Sequence, residues 1–333
     1  MKKDIIFDAF VVRNDHQGFR SGVEAWGLDQ LPEGDVIVKV LYSGVNYKDG
    51  LASTPEGKIV KRYPFIPGID LAGTVVESTH PSYKPGDQVL CTGYEVGVTH
   101  EGGYSQYARL KGEWLLPLPE GLTHKEAMGI GTAGFTAALS VASLLRNGIN
   151  PKDGPVLVTG ATGGVGSFAI SILSKLGFNV IASTGKASTQ GEWLKSIGAS
   201  SVVTREEAAA ESKGVLSSEQ WAAVIDPVGG TQLSSLLKRV KYDGAIALSG
   251  LTGGGQFEAT VYPFILRGVK LLGIDSVFCR METRQEIWAK LADEWKPESA
   301  LRLGIHVHTL NELPDILAGI LRGEAAGRSI ISL

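Results

Sequence analysis

A chain of 333 residues corresponds to about two average domains of roughly 150 residues, which is enough for two hydrophobic cores. Apolar residues make up 43% and charged residues 20% of the chain, so the composition excludes disordered and fibrous proteins. The 32 basic and 35 acidic residues give a net charge of −3, which provides no overall positive field for nucleic acid or an anionic membrane. We therefore expect neither as a partner.

Cysteine usage and the N-terminus favour a cytoplasmic protein. Cys91 and Cys279 are too few for a disulfide framework or a cysteine-rich metal site. The sequence Met1-Lys2-Lys3-Asp4 opens no apolar export signal. Residues 127–145 form 19 uncharged positions, near the length that spans a bilayer, but seven of them are Gly, Ser or Thr. This segment therefore predicts a buried helix that joins two domains.

The first 126 residues predict a β-rich, barrel-like domain, because short apolar runs alternate with glycine and proline turns. The predicted strands include residues 36–42, 71–77 and 88–91. Turn residues recur at Pro67-Gly68-Ile69-Asp70 and at Pro85-Gly86-Asp87, which favours an antiparallel barrel with sharp corners.

From about residue 123 strands and helices alternate along the chain. The predicted strands are 156–159, 179–183, 201–204, 222–226, 245–249 and 269–274, and the predicted helices are 167–176, 189–197, 206–213 and 230–240. Six strands with crossover helices predict a doubly wound parallel sheet, which makes this an α/β protein.

The C-terminal tail is predicted to return to the first domain. Beyond residue 275 we predict a helix over 283–295, a strand at His306-Val-His308, a second helix and a last strand over 329–333. The first domain is then 1–127 and 276–333, and the sheet domain is 128–275. Ligands usually bind in the cleft between two such domains.

A glycine loop carries the strongest chemical signal. Thr159-Gly160-Ala161-Thr162-Gly163-Gly164-Val165-Gly166 follows an apolar strand and opens a helix, where unpaired N–H groups and the helix dipole favour a pyrophosphate. Gly163 lets the backbone approach the phosphates, and Gly166 lets helix and strand pack closely. The alternative is a turn that binds nothing, but the second strand that follows favours a dinucleotide.

The second strand of the sheet indicates which dinucleotide binds. It ends in Ile181-Ala-Ser183-Thr184-Gly185-Lys186, without the acid that NAD enzymes place on the ribose 2′-hydroxyl. Ser183, Thr184, the Gly185 N–H and the Lys186 ammonium can instead bind and neutralise a 2′-phosphate. The sequence therefore predicts NADPH over NADH, with a solvated Lys186 as the alternative.

Several longer motifs carry a family resemblance over essentially the whole chain. Ala161-Thr-Gly-Gly-Val-Gly166, Gly131-Thr-Ala-Gly-Phe-Thr136, Val224-Ile-Asp226-Pro-Val-Gly-Gly230 and Gly327-Arg328 resemble the zinc-independent medium-chain dehydrogenase/reductase superfamily. Asn46-Tyr47-Lys48-Asp49, Phe65-Ile-Pro-Gly-Ile-Asp70 and Pro263-Phe-Ile-Leu-Arg267 resemble its quinone-oxidoreductase-type branch, which contains the NADPH-dependent acrylyl-CoA reductases. The resemblance implies a GroES-like β-barrel catalytic domain beside a Rossmann domain with a six-stranded sheet.

The resemblance also shows which ligands are missing. Zinc members carry a cysteine near the position of Val45, a Gly-His-Glu where this chain has Gly68-Ile69-Asp70, and four cysteines in the region of residues 90–115. We therefore expect no metal. Without a Lewis acid, reduction of an activated alkene fits better than alcohol oxidation. In this reaction a hydride goes to the β-carbon, negative charge develops on the carbonyl oxygen, and a proton is added to the α-carbon.

Asn46, Tyr47 and Lys48 are the candidate catalytic residues, because the resembling family lines its nicotinamide pocket there. The Tyr47 ring can pack on the nicotinamide while its hydroxyl donates to an oxyanion; a buried structural tyrosine and a plain surface Lys48 are the alternatives. Asp49 and Asp70 are expected to orient loops and strands. Further predicted cofactor contacts, from the resemblance and from strand ends, are Thr132, Thr136, Ser249, Gly250, Leu251 and Arg328.

The predicted substrate is an acrylyl-CoA-type thioester, with a quinone or free enone as the alternative and a non-catalytic NADPH sensor as the rival from another class. Lys58, Lys61 and Arg62 form a small basic cluster that suits a CoA phosphate, unless it is a solvated charge run. The predicted strand 269–274 lies at a sheet edge, which favours a homodimer that covers it.

Overall fold

The computed structural model describes residues 5–210 and 214–333, and the chain divides into two compact units. The barrel unit consists of Met1–Thr132, Val277–Ala292 and Ile305–Leu333. The Rossmann unit consists of Ala133–Ser276 and Asp293–Gly304.

The two units together contain fifteen strands and ten α-helices among the described residues. The strands are β1 (Ile6–Asp15), β2 (Gly18–Gly27), β3 (Val36–Gly44), β4 (Asp70–Ser78), β5 (Gln88–Thr92), β6 (Tyr107–Leu110), β7 (Leu116–Pro117), β8 (Val156–Val158), β9 (Val180–Ser183), β10 (Ser201–Val203), β11 (Trp221–Asp226), β12 (Val240–Leu248), β13 (Lys270–Gly273), β14 (Ile305–Thr309) and β15 (Arg328–Ser332). The helices are α1 (Tyr47–Ala52), α2 (His124–Arg146), α3 (Gly164–Lys175), α4 (Ala187–Ser196), α5 (Arg205–Ala208), α6 (Gln232–Leu237), α7 (Tyr262–Arg267), α8 (Met281–Ala292), α9 (Glu298–Leu303) and α10 (Leu313–Leu321).

The barrel unit is built from an antiparallel β1–β2 pair and a seven-stranded sheet in the order β14-β15-β3-β4-β5-β7, with β6 also paired to β3. The two predicted turns fold as expected, because Gly68 and Gly86 adopt φ values of +106° and +96° that other residues rarely reach. Alternate side chains of β3 and β4 pack into a core with β5 and the Trp114 ring. The predicted β-barrel domain is thereby confirmed.

The Rossmann unit contains a parallel six-stranded sheet in the order β10-β9-β8-β11-β12-β13. Numbered within the unit, this is the order 3-2-1-4-5-6 of a doubly wound dinucleotide-binding sheet. The central strands are buried on both faces and consist of continuous apolar runs, as parallel sheets require. The predicted fold class is confirmed.

Two predicted helices of the second half need correction or restriction. The helix observed in the region of the predicted helix 230–240 is shorter than predicted and consists of α6 alone. Val240 already belongs to β12, where it is fully buried. The predicted helix 206–213 is observed only as the short helix α5, which ends at Ala208; residues 209 and 210 are not helical, and residues 211–213 lie outside the described part of the chain.

The tail does not return to the barrel unit as one piece. Segment Asp293–Gly304, which contains α9, belongs to the Rossmann unit. The Lys175 ammonium on α3 donates to Glu298 Oε1 at 2.8 Å, and the Trp193 indole on α4 donates to the Leu303 carbonyl at 3.1 Å. These tertiary bonds hold α9 against that unit, and the sequence of the tail carries no signal for them.

Helix α2 carries a break in its second turn. Gly131 has φ +51° and ψ −159°, which interrupts the helical geometry. By length and composition α2 is the one described helix that could cross a bilayer, but 83% of its most apolar window is buried, as in the core helix of a folded domain. This burial agrees with the prediction of a domain-joining core helix.

Strand β13 lies at the edge of the six-stranded sheet, as the sequence predicted for this strand. Its backbone donors and acceptors on the outer side are therefore not used within the sheet. The homodimer that would cover this edge stays a prediction.

Candidate active site and cofactor site

The glycine loop between β8 and α3 is shaped by close backbone packing. Gly160 adopts φ +53°, and a Cβ added to Gly166 would lie 2.5 Å from the Gly160 carbonyl oxygen and 2.7 Å from the Ala161 Cα. Both neighbours are main-chain atoms that cannot move aside. The predicted role of Gly166 in close helix–strand packing is supported by this geometry.

Gly163 stands in a different environment within the same loop. A Cβ at position 163 would have one neighbour, the Gly160 carbonyl oxygen at 3.3 Å. Contacts within the protein therefore place little restriction on a side chain at this position. Gly163 precedes α3, a helix of 12 residues, and no side chain caps its N-terminus. Gly164 and Val165 form its half-buried first turn. These groups fit a dinucleotide pyrophosphate, which bonds uncapped N–H groups and needs space above the loop.

The end of β9 and the segment after it carry two buried hydroxyl groups, followed by two more accessible residues. Ser183 is 2% exposed, and its hydroxyl donates to the Thr204 carbonyl at 3.5 Å. Thr184 is 3% exposed; its hydroxyl accepts from the Lys186 N–H at 3.1 Å and lies 3.5 Å from the Thr162 hydroxyl. Gly185 is exposed and Lys186 half-buried. Gly185 and Lys186 are therefore more accessible to a phosphate than the two buried hydroxyls, and all four predicted contacts stay predictions.

Ser249 follows β12 and carries a buried hydroxyl that has no hydrogen-bond partner among the described residues. Its N–H donates to the Asp226 carbonyl at 3.0 Å, which fixes the backbone at the end of the sheet. The next residue, Gly250, could not carry a Cβ without overlapping the Pro227 carbonyl, and Leu251 is 66% exposed. An orphaned buried hydroxyl at a carboxyl strand end fits a cofactor contact.

In the barrel unit, α1 presents the predicted catalytic residues. Asn46 precedes the helix, and its N–H donates to Asp49 Oδ2 at 2.8 Å in a capping box. Tyr47 is 37% exposed, and its hydroxyl makes no hydrogen bond to another described residue. Lys48 is half-buried. The exposure of Tyr47 argues against the alternative of a buried structural tyrosine.

A buried carboxylate, Asp70, collects donors from three parts of the barrel unit. The Asn46 amide donates to Asp70 Oδ2 at 2.8 Å, and the Thr132 N–H and hydroxyl donate to Asp70 at 2.9 and 2.5 Å. The Arg328 Nη2 lies 3.6 Å from Asp70 Oδ2. Asp70 thus orients α1 and the kink of α2, which is the structural role expected for it.

Arg328 lies inside this network and not on the surface. It is 3% exposed, and it donates to the carbonyls of Val45 at 2.5 Å and Gly129 at 3.0 Å and to Asn46 Oδ1 at 3.0 Å. A Cβ on Gly131 would lie 2.6 Å from Arg328 Nη2, so this glycine makes room for the guanidinium. Burial and the bonds made by Nε and Nη1 favour a positioning role for Arg328, while Nη2 makes no hydrogen bond to a described residue. The predicted cofactor contact of Arg328 stays a prediction.

The same network bears on the roles predicted for Asn46 and Thr132. Asn46 is 8% exposed, and its amide is bonded on both ends, so it positions Tyr47 and is not free to contact substrate. The Thr132 hydroxyl is bonded to Asp70. Thr136 is 5% exposed one turn further along α2, where its carbonyl accepts from the Ser140 hydroxyl. Cofactor contacts of both threonines stay predictions.

Asp49 is the titratable group with the most altered chemistry in this region. Complete burial, and next the charge of Asp70, raise the pKa of Asp49 to about 7, although the N–H groups of Asn46 and Ile69 donate to it. Burial also raises the pKa of Tyr104 well above its usual value, and its hydroxyl donates to the Gly44 carbonyl at 3.2 Å. Sequence reasoning missed Tyr104, because only packing brings it to α1.

The basic cluster predicted for a CoA phosphate is divided by the fold. Arg62 donates to the buried Glu101 carboxylate at 2.5 Å and lies over the Phe65 ring. Lys58 and Lys61 are exposed. Two of the three side chains therefore stay candidates for a CoA contact.

The residues at the positions of the zinc ligands do not form a metal site. Val45 and Ile69 are buried apolar side chains, at 1% and 4% exposure, and the neighbouring Asp70 faces a guanidinium. Within residues 5–210 and 214–333, no three His, Cys, Asp or Glu side chains cluster as metal ligands would. A tetrahedral zinc site needs three or four N, O or S ligands, so these residues do not fit the ion.

Comparison with known proteins gives matches over both units. Residues 32–120 match the alcohol dehydrogenase GroES-like domain, and residues 164–293 match the zinc-binding dehydrogenase model. The putative quinone oxidoreductase YhfP of Bacillus subtilis is 49% identical over 98% of this chain and 99% of its own length. The acrylyl-CoA reductase AcuI of Ruegeria pomeroyi is 47% identical over the same shares. The chain belongs to the medium-chain dehydrogenase/reductase superfamily.

Solved structures of this superfamily agree with the fold. Bacillus subtilis yhfP with NAD bound superposes with a TM-score of 0.95 at 49% identity, covering 99% of this chain and 100% of the other. The yhdH oxidoreductase of Salmonella enterica in complex with NADP superposes with a TM-score of 0.94 at 44% identity, covering 98% and 99%. The resemblance to the quinone-oxidoreductase-type branch of the superfamily, stated from the sequence, is confirmed.

Proposed function

We propose that this chain is an NADPH-dependent oxidoreductase that reduces the carbon–carbon double bond of an α,β-unsaturated carbonyl, with an acrylyl-CoA-type thioester as its substrate. The observation that carries the proposal is the 47% identity to an acrylyl-CoA reductase along nearly the full length of both chains. Related bacterial oxidoreductases support a cytoplasmic location.

NADPH is proposed as the cofactor from residues of this chain and from two of three similar solved structures. The Salmonella relative was solved with NADP and an Escherichia coli relative, 44% identical, with NADPH, whereas the Bacillus relative was solved with NAD. The segment after β9 contains no acid that would repel a 2′-phosphate and offers the exposed Gly185 and the Lys186 ammonium. This composition supports NADPH.

When bound, NADPH supplies the hydride for the β-carbon of the substrate. We propose that the exposed Tyr47 hydroxyl donates a hydrogen bond to the carbonyl oxygen as negative charge develops there. Lys48 next to it adds positive charge. Asn46, Asp49 and Asp70 hold the start of α1 and thereby keep Tyr47 in place. No step is assigned to zinc, because the residues present do not fit the ion.

The proposed function is tested by following NADPH oxidation with acrylyl-CoA, crotonyl-CoA, a free enone and a benzoquinone in the presence of EDTA. We expect the fastest turnover with acrylyl-CoA. A quinone preference would favour the alternative suggested by the 49% identical Bacillus protein named a putative quinone oxidoreductase. NADPH binding without turnover of any compound would favour a sensor, and activity lost with EDTA would contradict zinc independence.

Replacing Tyr47 with phenylalanine is expected to lower kcat for acrylyl-CoA reduction by about a hundredfold, the usual effect of removing one oxyanion donor. The ring remains, so NADPH affinity and thermal stability should stay close to wild type. Tyr242→Phe is the matched control, since Tyr242 is 69% exposed in the Rossmann unit and has no proposed role. An unchanged kcat in Tyr47→Phe would move the oxyanion donor elsewhere.

Replacing Lys186 with alanine is expected to weaken NADPH binding by about tenfold to a hundredfold, because one charge-assisted hydrogen bond to phosphate is lost. NADH binding should hardly change. Fluorescence titration of both nucleotides at one fixed salt concentration measures the effect. Lys195→Ala serves as control, since the Lys195 ammonium is paired with Glu192 on the surface of α4. An unchanged ratio of the two affinities would make Lys186 a surface lysine.

A further inference from the structure

Two carboxyl groups of the barrel unit, those of Asp49 and Asp70, are buried side by side and share one hydrogen-bond donor. Both side chains are completely buried. The side-chain nitrogen of Asn46 donates to Asp70 Oδ2 at 2.8 Å and to Asp49 Oδ2 at 3.2 Å. Two carboxyl groups joined through a single nitrogen and shielded from solvent resist ionising together, because each negative charge raises the cost of the other.

The one guanidinium of this cluster lies on the side of Asp70. Arg328 Nη2 is 3.6 Å from Asp70 Oδ2. Asp49 instead accepts from two main-chain groups, the N–H of Asn46 at 2.8 Å and the N–H of Ile69 at 3.0 Å. An ionised Asp70 therefore balances the charge of Arg328, and Asp49 is the carboxyl group of the pair that has no cation beside it.

The other elements packed around α1 bring no further charge to Asp49. Among the residues that the structure describes, the titratable side chains facing it are Asp70 and Tyr104, with Arg328 beyond Asp70. Tyr104 is fully buried, its hydroxyl donates to a main-chain carbonyl at 3.2 Å, and burial raises its pKa well above the usual value, so it stays neutral. Helix α10 packs its apolar last turn against α1.

Asp49 is linked directly to the backbone that carries Tyr47. It is the third residue of α1, where its carboxyl group accepts from the Asn46 N–H in the capping box, and its own N–H donates to the Asn46 carbonyl at 3.0 Å. Tyr47 lies between these two residues, as the first residue of the helix. A negative charge on Asp49 would repel Asp70 and strain the Asn46 bonds that set the start of α1.

We propose that Asp49 is a positioning residue that holds a buried proton, and that α1 keeps Tyr47 in its active position only while this proton is bound. The inference rests on the proposed function and deepens it, since turnover then depends on the ionisation of a group that touches no substrate. Burial, and next the charge of Asp70, raise the pKa of Asp49 to about 7. Turnover is therefore lost on the alkaline side of neutrality.

The proton itself is tested by infrared difference spectroscopy on the full chain without nucleotide, between about pH 6 and about pH 8, one unit either side of the pKa. Wild type is expected to lose the signal of one protonated carboxyl group over this range. Asp49→Asn should lack that signal. Glu312→Gln is the matched control and should retain it, because Glu312 closes a similar capping box with Thr309 at the protein surface.

The positioning role is tested by the pH profile of kcat for acrylyl-CoA reduction. Wild type and Glu312→Gln are expected to lose at least about tenfold between about pH 7 and about pH 9, because the active protonated form is depleted there. Asp49→Asn carries no ionisable group at this position, so its kcat should change by less than about twofold over the same range, whatever its level at neutral pH. A residue that serves the fold alone would not remove the alkaline loss.

Three results would overturn the inference: no protonated carboxyl signal in wild type near neutral pH, an unchanged signal in Asp49→Asn, or the same alkaline loss of kcat in both proteins. If Asp49→Asn fails to fold, the double variant Arg328→Met with Asp70→Asn takes its place. Removal of the Asp70 charge should move the carboxyl signal to lower pH, and an unmoved signal would overturn the inference.

Failure of the proposed function gives a different result. A wild type that shows the carboxyl signal but oxidises NADPH with none of the four test compounds would refute the proposed function, while the protonation of Asp49 would stand.

Discussion

Replacing Arg328 with methionine is expected to lower the free energy of unfolding by about 3–5 kcal/mol, because it leaves the buried Asp70 carboxylate without its cation. The substitution also removes the donors to the Val45 and Gly129 carbonyls and to Asn46. Methionine fills a similar volume, so the loss is mainly electrostatic and not a cavity.

The effect is measured by urea-induced unfolding, with Arg322→Met as the matched control. Arg322 is paired with Glu324 on the surface, where both side chains are about 60% exposed, so its loss should cost far less stability than the loss of Arg328. The double variant Arg328→Met with Asp70→Asn should recover part of the stability, because no uncompensated charge remains. Equal small losses for Arg328→Met and Arg322→Met would contradict the proposed importance of this network.

The second large effect is expected in the glycine loop, where Gly163→Val should weaken both NADPH and NADH by more than about a hundredfold. The valine side chain would occupy the space above the loop that we assign to the pyrophosphate. The backbone of Gly163, at φ −78° and ψ 172°, accepts a side chain, and the nearest protein atom to a Cβ is 3.3 Å away. Thermal stability should therefore change little.

Two companion substitutions show which glycine serves the ligand and which serves the fold. Gly166→Ala should cost about 1–3 kcal/mol of stability even without nucleotide, because its Cβ would overlap main-chain atoms of the loop. Gly191→Val on α4 meets no atom within 4 Å of its Cβ and should leave nucleotide binding intact. Retention of nucleotide affinity in Gly163→Val would place the pyrophosphate elsewhere.

The buried network around Asp70 links the proposed catalytic residue to the stability of the barrel unit. Asn46, directly before the proposed oxyanion donor Tyr47, is bonded to Asp49, Asp70 and Arg328. A variant such as Arg328→Met is therefore expected to affect turnover through the position of α1 as well as through stability. The position of the exposed Tyr47 therefore depends on hydrogen bonds between buried residues, namely those of Asn46 with Asp70 and Arg328.

Much of the Rossmann unit was predictable from sequence, because its signals are local. Apolar runs such as 156–158 and 221–226 are buried on both faces of a parallel sheet, and turn glycines separate them from helices. The glycine loop combines a strand, a turn and a helix within ten residues, so its position and context follow from the chain itself. The absence of zinc ligands at Val45 and Ile69 is likewise a statement about residue types.

Contacts between distant segments were decided by tertiary structure alone. Arg328 lies 282 residues from Asn46 in sequence. From the sequence alone, its side chain could contact either a ligand or the Asp70 network. The Ser183 hydroxyl turns toward the neighbouring β10, while Arg205, which no motif singled out, comes to lie on Gly185. Sequence gives the chemical type of a side chain, but its direction and partners depend on strand register and packing with residues far along the chain.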